Sequence, residues 1–168
     1  MKFNLTSQRS LFLAGFLLCA ILIMVALYFQ HVMGFEPCPL CIIQRIAIMV
    51  CGGFFLIAFI HNPKPLGRII YHSLISLSAL FGLSIAGRQV WLQHLPKDQV
   101  PACGPGLDYM LEVFPLMQAL EKIFKGSGEC AEVHWTFLSL SIAGWMMVIF
   151  TGFIIASITM MIKRHHLA

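Results

Sequence analysis

Residues 11–29 read LFLAGFLLCAILIMVALYF, an apolar run without a single charge. A helix needs roughly 20 such residues to cross the hydrocarbon core of a bilayer. Lys2 and Arg9 precede the run as they would in a secretory signal. The run is longer than the roughly 7–15 apolar residues of a signal, however, and no A-x-A-like exit follows, so it reads as a retained membrane helix. Working outward, residues 42–60, 69–91 and 135–162 have the same character. Their hydrophobicity is unbroken, whereas barrel strands facing a lumen would alternate polar and apolar residues. The expected fold is an all-α membrane protein, a four-transmembrane-helix bundle formed as one domain over residues 1–168. Its connecting loops fall at about 30–40 and 92–134.

Composition agrees. Hydrophobic residues make up 59% of the chain and charged ones 11%, against about 25% charged in a soluble domain. With so little polar surface, lipid has to be the main solvent. The net charge of +4 needs no nucleic acid to account for it, because basic residues at the ends of membrane helices suffice.

Those basic residues also orient the chain. Lys2 and Arg9 lie before the first span, Lys64 and Arg68 in the Asn62-Pro63-Lys64-Pro65 turn between the second and third, and Lys163 and Arg164 after the fourth. By the positive-inside rule that side is cytoplasmic, with both termini on it. All seven acidic residues fall in the two opposite loops. In the longer loop, Leu116, Met117, Leu120, Ile123 and Phe124 share one helical face, and Gln118, Glu121, Lys122 and Lys125 the other. The pattern predicts a short amphipathic helix on the membrane surface, started by Pro115 and ended by Gly126-Ser127-Gly128.

Topology sorts the six cysteines. Cys19 and Cys51 fall within spans, where a free cysteine behaves as a small hydrophobe. Cys38, Cys41, Cys103 and Cys130 all face the outer compartment, which in a bacterium is oxidising. Four cysteines allow three pairings, and spacing does not choose among them. Cys38-Pro39-Leu40-Cys41 stands at the start of a helix, where unpaired N–H groups and a partial positive charge favour a thiolate. Arg45 follows Cys41 by one turn on the same face. Alone it reads equally as a side chain snorkelling to headgroups; beside a thiolate it suits a quinone ring, donating to its carbonyl oxygens. Arg88 reads as a similar anchor, and His94 as a ligand contact or a wet interfacial residue. Cys103 and Cys130 bracket the amphipathic segment. A structural staple is the commonest role of such cysteines, but four on one face, two of them at a helix start, suggest a thiol–disulfide relay.

These features resemble the disulfide bond formation protein B (DsbB) family, quinone-dependent thiol oxidases of the bacterial inner membrane. The resemblance spans most of the chain. It is carried by Phe29-Gln30-His31-Val32-Met33, by Cys38-Pro39-Leu40-Cys41-Ile42 with Arg45, by Gly87 to His94, and by Gly128-Glu129-Cys130-Ala131-Glu132 with Trp135 and Phe137-Leu138. It implies catalytic roles for Cys38, Cys41, Cys103 and Cys130. A DsbA-like periplasmic thiol oxidase would be the partner, attacking Cys103, whose mate would be Cys130. Cys38 would exchange with Cys130, and Cys41 would face the quinone, ubiquinone with menaquinone as the alternative. Arg45 and, more weakly, His94 would bind that cofactor with Cys41; no metal is implied. Gln44 departs from the family pattern, in which an acidic residue can precede the arginine, and this withholds a proton-transfer role from the position.

The known oxidising strength of DsbA sharpens the choice between relay and staple. Its potential lies near about −120 mV, while ordinary structural disulfides lie below about −300 mV, a gap of ~8 kcal/mol for two electrons. A plain staple cannot oxidise such a partner unless a quinone step draws the electrons onward. The rival readings are a tetraspan scaffold with stapled loops and a membrane protein holding zinc on four thiolates. Vitamin K epoxide reductase is a neighbour in chemistry, but its C-x-x-C comes late in the bundle.

Overall fold

The computed structural model describes residues 8–96, 98–101, 117, 124, 126, 128–133 and 135–165. Four helices are long and apolar enough to cross a membrane: α1 (Gln8–His31), α2 (Pro39–His61), α3 (Pro65–Gln93) and α4 (Ile142–His165). A 3-10 turn (Gly128–Cys130) and a two-stranded antiparallel hairpin, β1 (Thr136–Phe137) and β2 (Leu140–Ser141), lie between α3 and α4. Large apolar side chains such as Met24, Ile60, Leu77 and Ile155 stand exposed on the helices' outer faces, as a bundle solvated by lipid requires.

Local chemistry sets the helix limits. Proline at the first helical position opens both α2 and α3, where its missing N–H is not needed and its φ is already helical. Asn62 closes α2 in the left-handed conformation, φ 43, with its N–H on the Ala58 carbonyl at 3.0 Å. Pro63 and Pro65 then make the reversal short, and the Arg68 side chain donates to the Pro63 carbonyl at 3.0 Å. The helices therefore run past the apolar stretches that mark them, because caps and prolines, not hydropathy, end them.

The fourth span differs most from expectation. Residues 135–141, read as its opening, form the hairpin, and α4 begins at Ile142. Leu138 and Ser139 both take positive φ, 50 and 63, the signature of a tight two-residue hairpin turn. The Ser141 hydroxyl accepts the Gly144 N–H at 3.2 Å, capping α4 in the usual manner of serine. Of the segment expected to form a surface helix, Met117 and Phe124 are helical, and Phe124 meets Phe81 of α3 with ring centroids 6.5 Å apart. The rest lies outside the described residues. Gly126, read as its end, has φ 80, and a Cβ there would collide with Leu92.

The packing is uneven. α3 packs most extensively on α4, and α2 bridges α1 and α3. At the α3–α4 seam the Phe150 ring lies against the backbone at Gly82, so closely that any side chain there would strike it. Phe55 of α2 lies on Gly15 of α1 in the same way. One apolar cluster fills the middle of the bundle, with Phe12, Cys51, Ile75 and Phe150 in it. Among the described residues, α1 and α4 barely touch.

Candidate functional site

The C-x-x-C motif shapes the start of α2. Cys38 is its N-cap, with extended backbone (φ −63, ψ 160), and its sulfur accepts the Cys41 N–H at 3.3 Å. Proline at the next position leaves that N–H among the first unpaired donors of the helix, so a capping sulfur three residues back is well placed to take it. The same geometry brings the two sulfurs to 2.8 Å, with Cys38 donating to Cys41.

Cys130 joins them from the 3-10 turn. It is wholly buried in a small cluster with Cys38, Leu40, Ile85 and Leu92. Its side chain packs in that cluster with Cys38, close enough to act on its thiol. Cys38 thus stands between two sulfurs. The Cys130 side chain, then the hydrogen bond to Cys41, then burial, push the Cys38 thiol well above the ordinary range, so in the reduced state it keeps its proton. Cys103 lies outside the described residues.

Two buried glutamines hold the other side of the pair. Gln89 of α3 donates from Nε2 to the Cys41 sulfur at 3.2 Å and to the Cys38 sulfur at 3.5 Å. Its Oε1 accepts from Gln44 Nε2 at 2.6 Å and, more weakly, from the Cys41 thiol at 3.7 Å. Neither amide was singled out by its sequence as part of the site. The available signal was their polarity inside otherwise apolar helices, with Gln89 and Gln93 one turn apart on one face of α3.

Arg45 turns toward α1 and donates to Gln30 Oε1 at 2.5 Å and to the Ala26 carbonyl at 3.1 Å. It is half-buried and lines a cavity of about 930 Å³, as do Cys38, Cys41, Gln44 and Gln89. Leu22 and Ile23 of α1, Ile48 of α2 and Met146 of α4 form its apolar wall. Gln93 and Ser141 close another part of the lining, with the Ser141 hydroxyl donating to Gln93 Oε1 at 2.7 Å. The cavity thus fills the gap that the sparse contact between α1 and α4 leaves. A row of rings bridges the ends of those helices: Phe29 to Trp135 at 5.4 Å, Trp135 to Phe137 at 6.0 Å, and Phe137 to Trp145 at 6.0 Å. His94 stands apart, exposed, with Nδ1 2.8 Å from the Val90 carbonyl and no part in the cavity lining. Arg88 lies over the Trp91 ring at 4.3 Å.

Comparison with known proteins gives consistent matches. The family profile described as "Disulfide bond formation protein DsbB" matches residues 8–160. A protein of Nitrosococcus oceani named "Disulfide bond formation protein B" is 56% identical over 86% of this chain and 85% of its own length. Proteins of the same name from Marinobacter nauticus and Saccharophagus degradans are 50% and 52% identical, over 95% and 92% of this chain and 95% and 93% of theirs.

Proposed function

The chain belongs to the disulfide bond formation protein B family, and from that premise we propose that it reoxidises a DsbA-like dithiol oxidase and passes the electrons to a membrane quinone. The observation that carries this reading is the meeting of three sulfurs, those of Cys38, Cys41 and Cys130, at the edge of a cavity that Arg45 also lines.

The exchange balances as a series of thiolate attacks. A partner thiolate attacks Cys103 of a Cys103–Cys130 disulfide, forming a mixed disulfide and releasing Cys130 as a thiolate. Cys130, buried in one cluster with Cys38, attacks it; the Cys38–Cys41 bond breaks and its electron pair goes to Cys41. The partner's second thiolate then resolves the mixed disulfide, leaving the partner oxidised and freeing Cys103. Cys103 attacks Cys130, restoring the loop disulfide and leaving Cys38 and Cys41 as the reduced pair beside the cavity.

The cavity suits a quinone ring. Its volume of about 930 Å³ exceeds that of the ring, and it combines an apolar wall with donors from Arg45. A guanidinium has five N–H donors, two of which go to α1. Ubiquinone, or menaquinone in its place, supplies when bound a two-electron, two-proton acceptor. Arg45 would orient it and offset negative charge near the Cys41 sulfur. The gap between α1 and α4 gives a lateral path from lipid, so an isoprenoid tail can stay in the bilayer. In this reading the chain spans the bacterial inner membrane with both termini cytoplasmic and the cysteine-bearing loops periplasmic.

The decisive experiment mixes purified, reduced partner with this protein and a soluble quinone under anaerobic conditions and follows quinone absorbance. Rapid stoichiometric reduction is expected; its absence would return the loop cysteines to the role of staples. Orientation is checked in intact cells with Lys64→Cys in a background lacking the other thiols. That cysteine should resist a membrane-impermeant reagent.

A further inference from the structure

We propose that Gln89, oriented by Gln44, is the residue that holds the Cys41 sulfur as an anion once the Cys38–Cys41 bond has opened. The inference rests on the relay proposed above and assigns a role on α3, outside the cysteines and Arg45.

The argument begins with the amides. A glutamine offers both a donor and an acceptor end, and the two ends are told apart only by their partners. Here Gln44 biases that choice: its Nε2 donates to Gln89 Oε1 at 2.6 Å, which leaves the Gln89 Nε2 for the sulfurs, while Oε1 lies farther from Cys41, at 3.7 Å, and accepts from its thiol only as long as that sulfur is protonated. Gln44 and Gln89 are 3% and 5% exposed, so little of either amide is open to bulk water. From this position Gln89 Nε2 reaches Cys41 at 3.2 Å and Cys38 at 3.5 Å.

When Cys130 takes Cys38 into a disulfide, Cys38 no longer donates to Cys41. The displaced electron pair stays on Cys41, and among the described residues the side-chain hydrogen bond left to that sulfur is the one from Gln89. Hydrogen bonds to an ionised group are stronger than those between neutral groups, so the amide favours the opened state over the closed one. The charged and titratable groups around this sulfur are Cys38, Cys130, Arg45, and Glu36, Glu129 and Glu132 on the cavity lining; α1, α3 and α4 add none to that lining among the described residues. Gln89 is therefore a neutral donor in a setting where Arg45 is committed in part to α1.

The test uses the full-length protein in detergent, reduced and carrying Cys38→Ala so that Cys38 does not donate to Cys41, with Cys41 alkylation by iodoacetamide followed by mass spectrometry across pH; quinone reduction is followed in the protein with Cys38 intact. Gln89→Met keeps the length and removes the amide. The pH of half-maximal alkylation should rise by about one unit. Quinone reduction with dithiothreitol at neutral pH should fall about tenfold and recover as pH is raised, because higher pH restores the thiolate. A packing defect would not recover in this way. An unchanged alkylation profile, or a rate loss that persists at high pH, would overturn the proposal. Gln44→Met leaves Gln89 in place but frees its amide to rotate. It should move the profile in the same direction by less, and no movement would overturn the orienting role of Gln44. Should the wild type fail to reduce quinone at all, the relay falls, while the alkylation profile still decides whether Gln89 holds the thiolate.

Discussion

Cysteines occur in two settings in this molecule, and the contrast between them separates a reactive sulfur from an inert one. Cys19 and Cys51 lie in the apolar middle of the bundle, within one cluster of aliphatic and aromatic side chains. Among the described residues the Cys51 thiol makes only a long hydrogen bond, to the Ile75 carbonyl at 3.9 Å. Cys38 and Cys41 lie at the start of α2, with a helix N–H, a glutamine amide and a second thiol within reach. Residue type is the same; donors and access differ. A thiolate needs both, so chemistry is expected at one end of the bundle and none at its middle.

The largest effect that would test this contrast is at Cys41. Cys41→Ser should abolish quinone reduction, since the Cys38–Cys41 disulfide cannot form and no sulfur is left to receive the electron pair when Cys38 is attacked, yet the loop pair should still oxidise one equivalent of partner. A partner lacking its own resolving cysteine should be trapped on Cys103 and not on Cys38. Mass spectrometry of the trapped complex locates the bond, and attachment at Cys38 would reverse the proposed direction of flow.

A smaller effect is expected at Arg45. Its guanidinium links α2 to α1 and lines the cavity. Arg45→Met should raise the apparent KM for quinone by about ten- to a hundredfold, the scale of one lost charge-assisted hydrogen bond at ~1.5–3 kcal/mol. The rate of the first exchange with partner should change little, because Cys103 and Cys130 receive it. An unchanged KM would leave Arg45 as a brace between helices.

How much of this was legible beforehand depends on what kind of force sets each feature. The spans were, because lipid solvation imposes long apolar runs such as 11–29. The start of α4 was not. Phe137-Leu138-Ser139-Leu140-Ser141 is apolar enough to read as membrane helix, and its turn depends on two residues with positive φ. The C-x-x-C announced itself through spacing, and the helix start that activates it follows from Pro39. Gln89 was hidden because its register against α2 is a tertiary fact: nothing within α3 says which neighbour that face will meet. Gln44 was noticed only as a departure from an acidic family pattern. The structure gives the departure a physical content, an amide bonded to an amide.

The smallest effect concerns the other side of the contrast. Cys51 is fully buried, and its thiol fills space between α2 and α3 near Ile75. Cys51→Ala removes one sulfur from the core and should cost about 1–2 kcal/mol in stability, the scale of a small cavity. Quinone reduction, partner oxidation and their pH dependence should match the wild type at temperatures where both variants are folded. Cys19→Ala should behave likewise, since Cys19 packs in the same cluster. Thermal unfolding in detergent measures the first expectation, and steady-state kinetics the second. A lowered unfolding temperature with intact kinetics would confirm that these sulfurs act as hydrocarbon. Loss of turnover in a folded Cys51→Ala protein would break the contrast, because it would mean that electrons or protons pass through the apolar middle of the bundle.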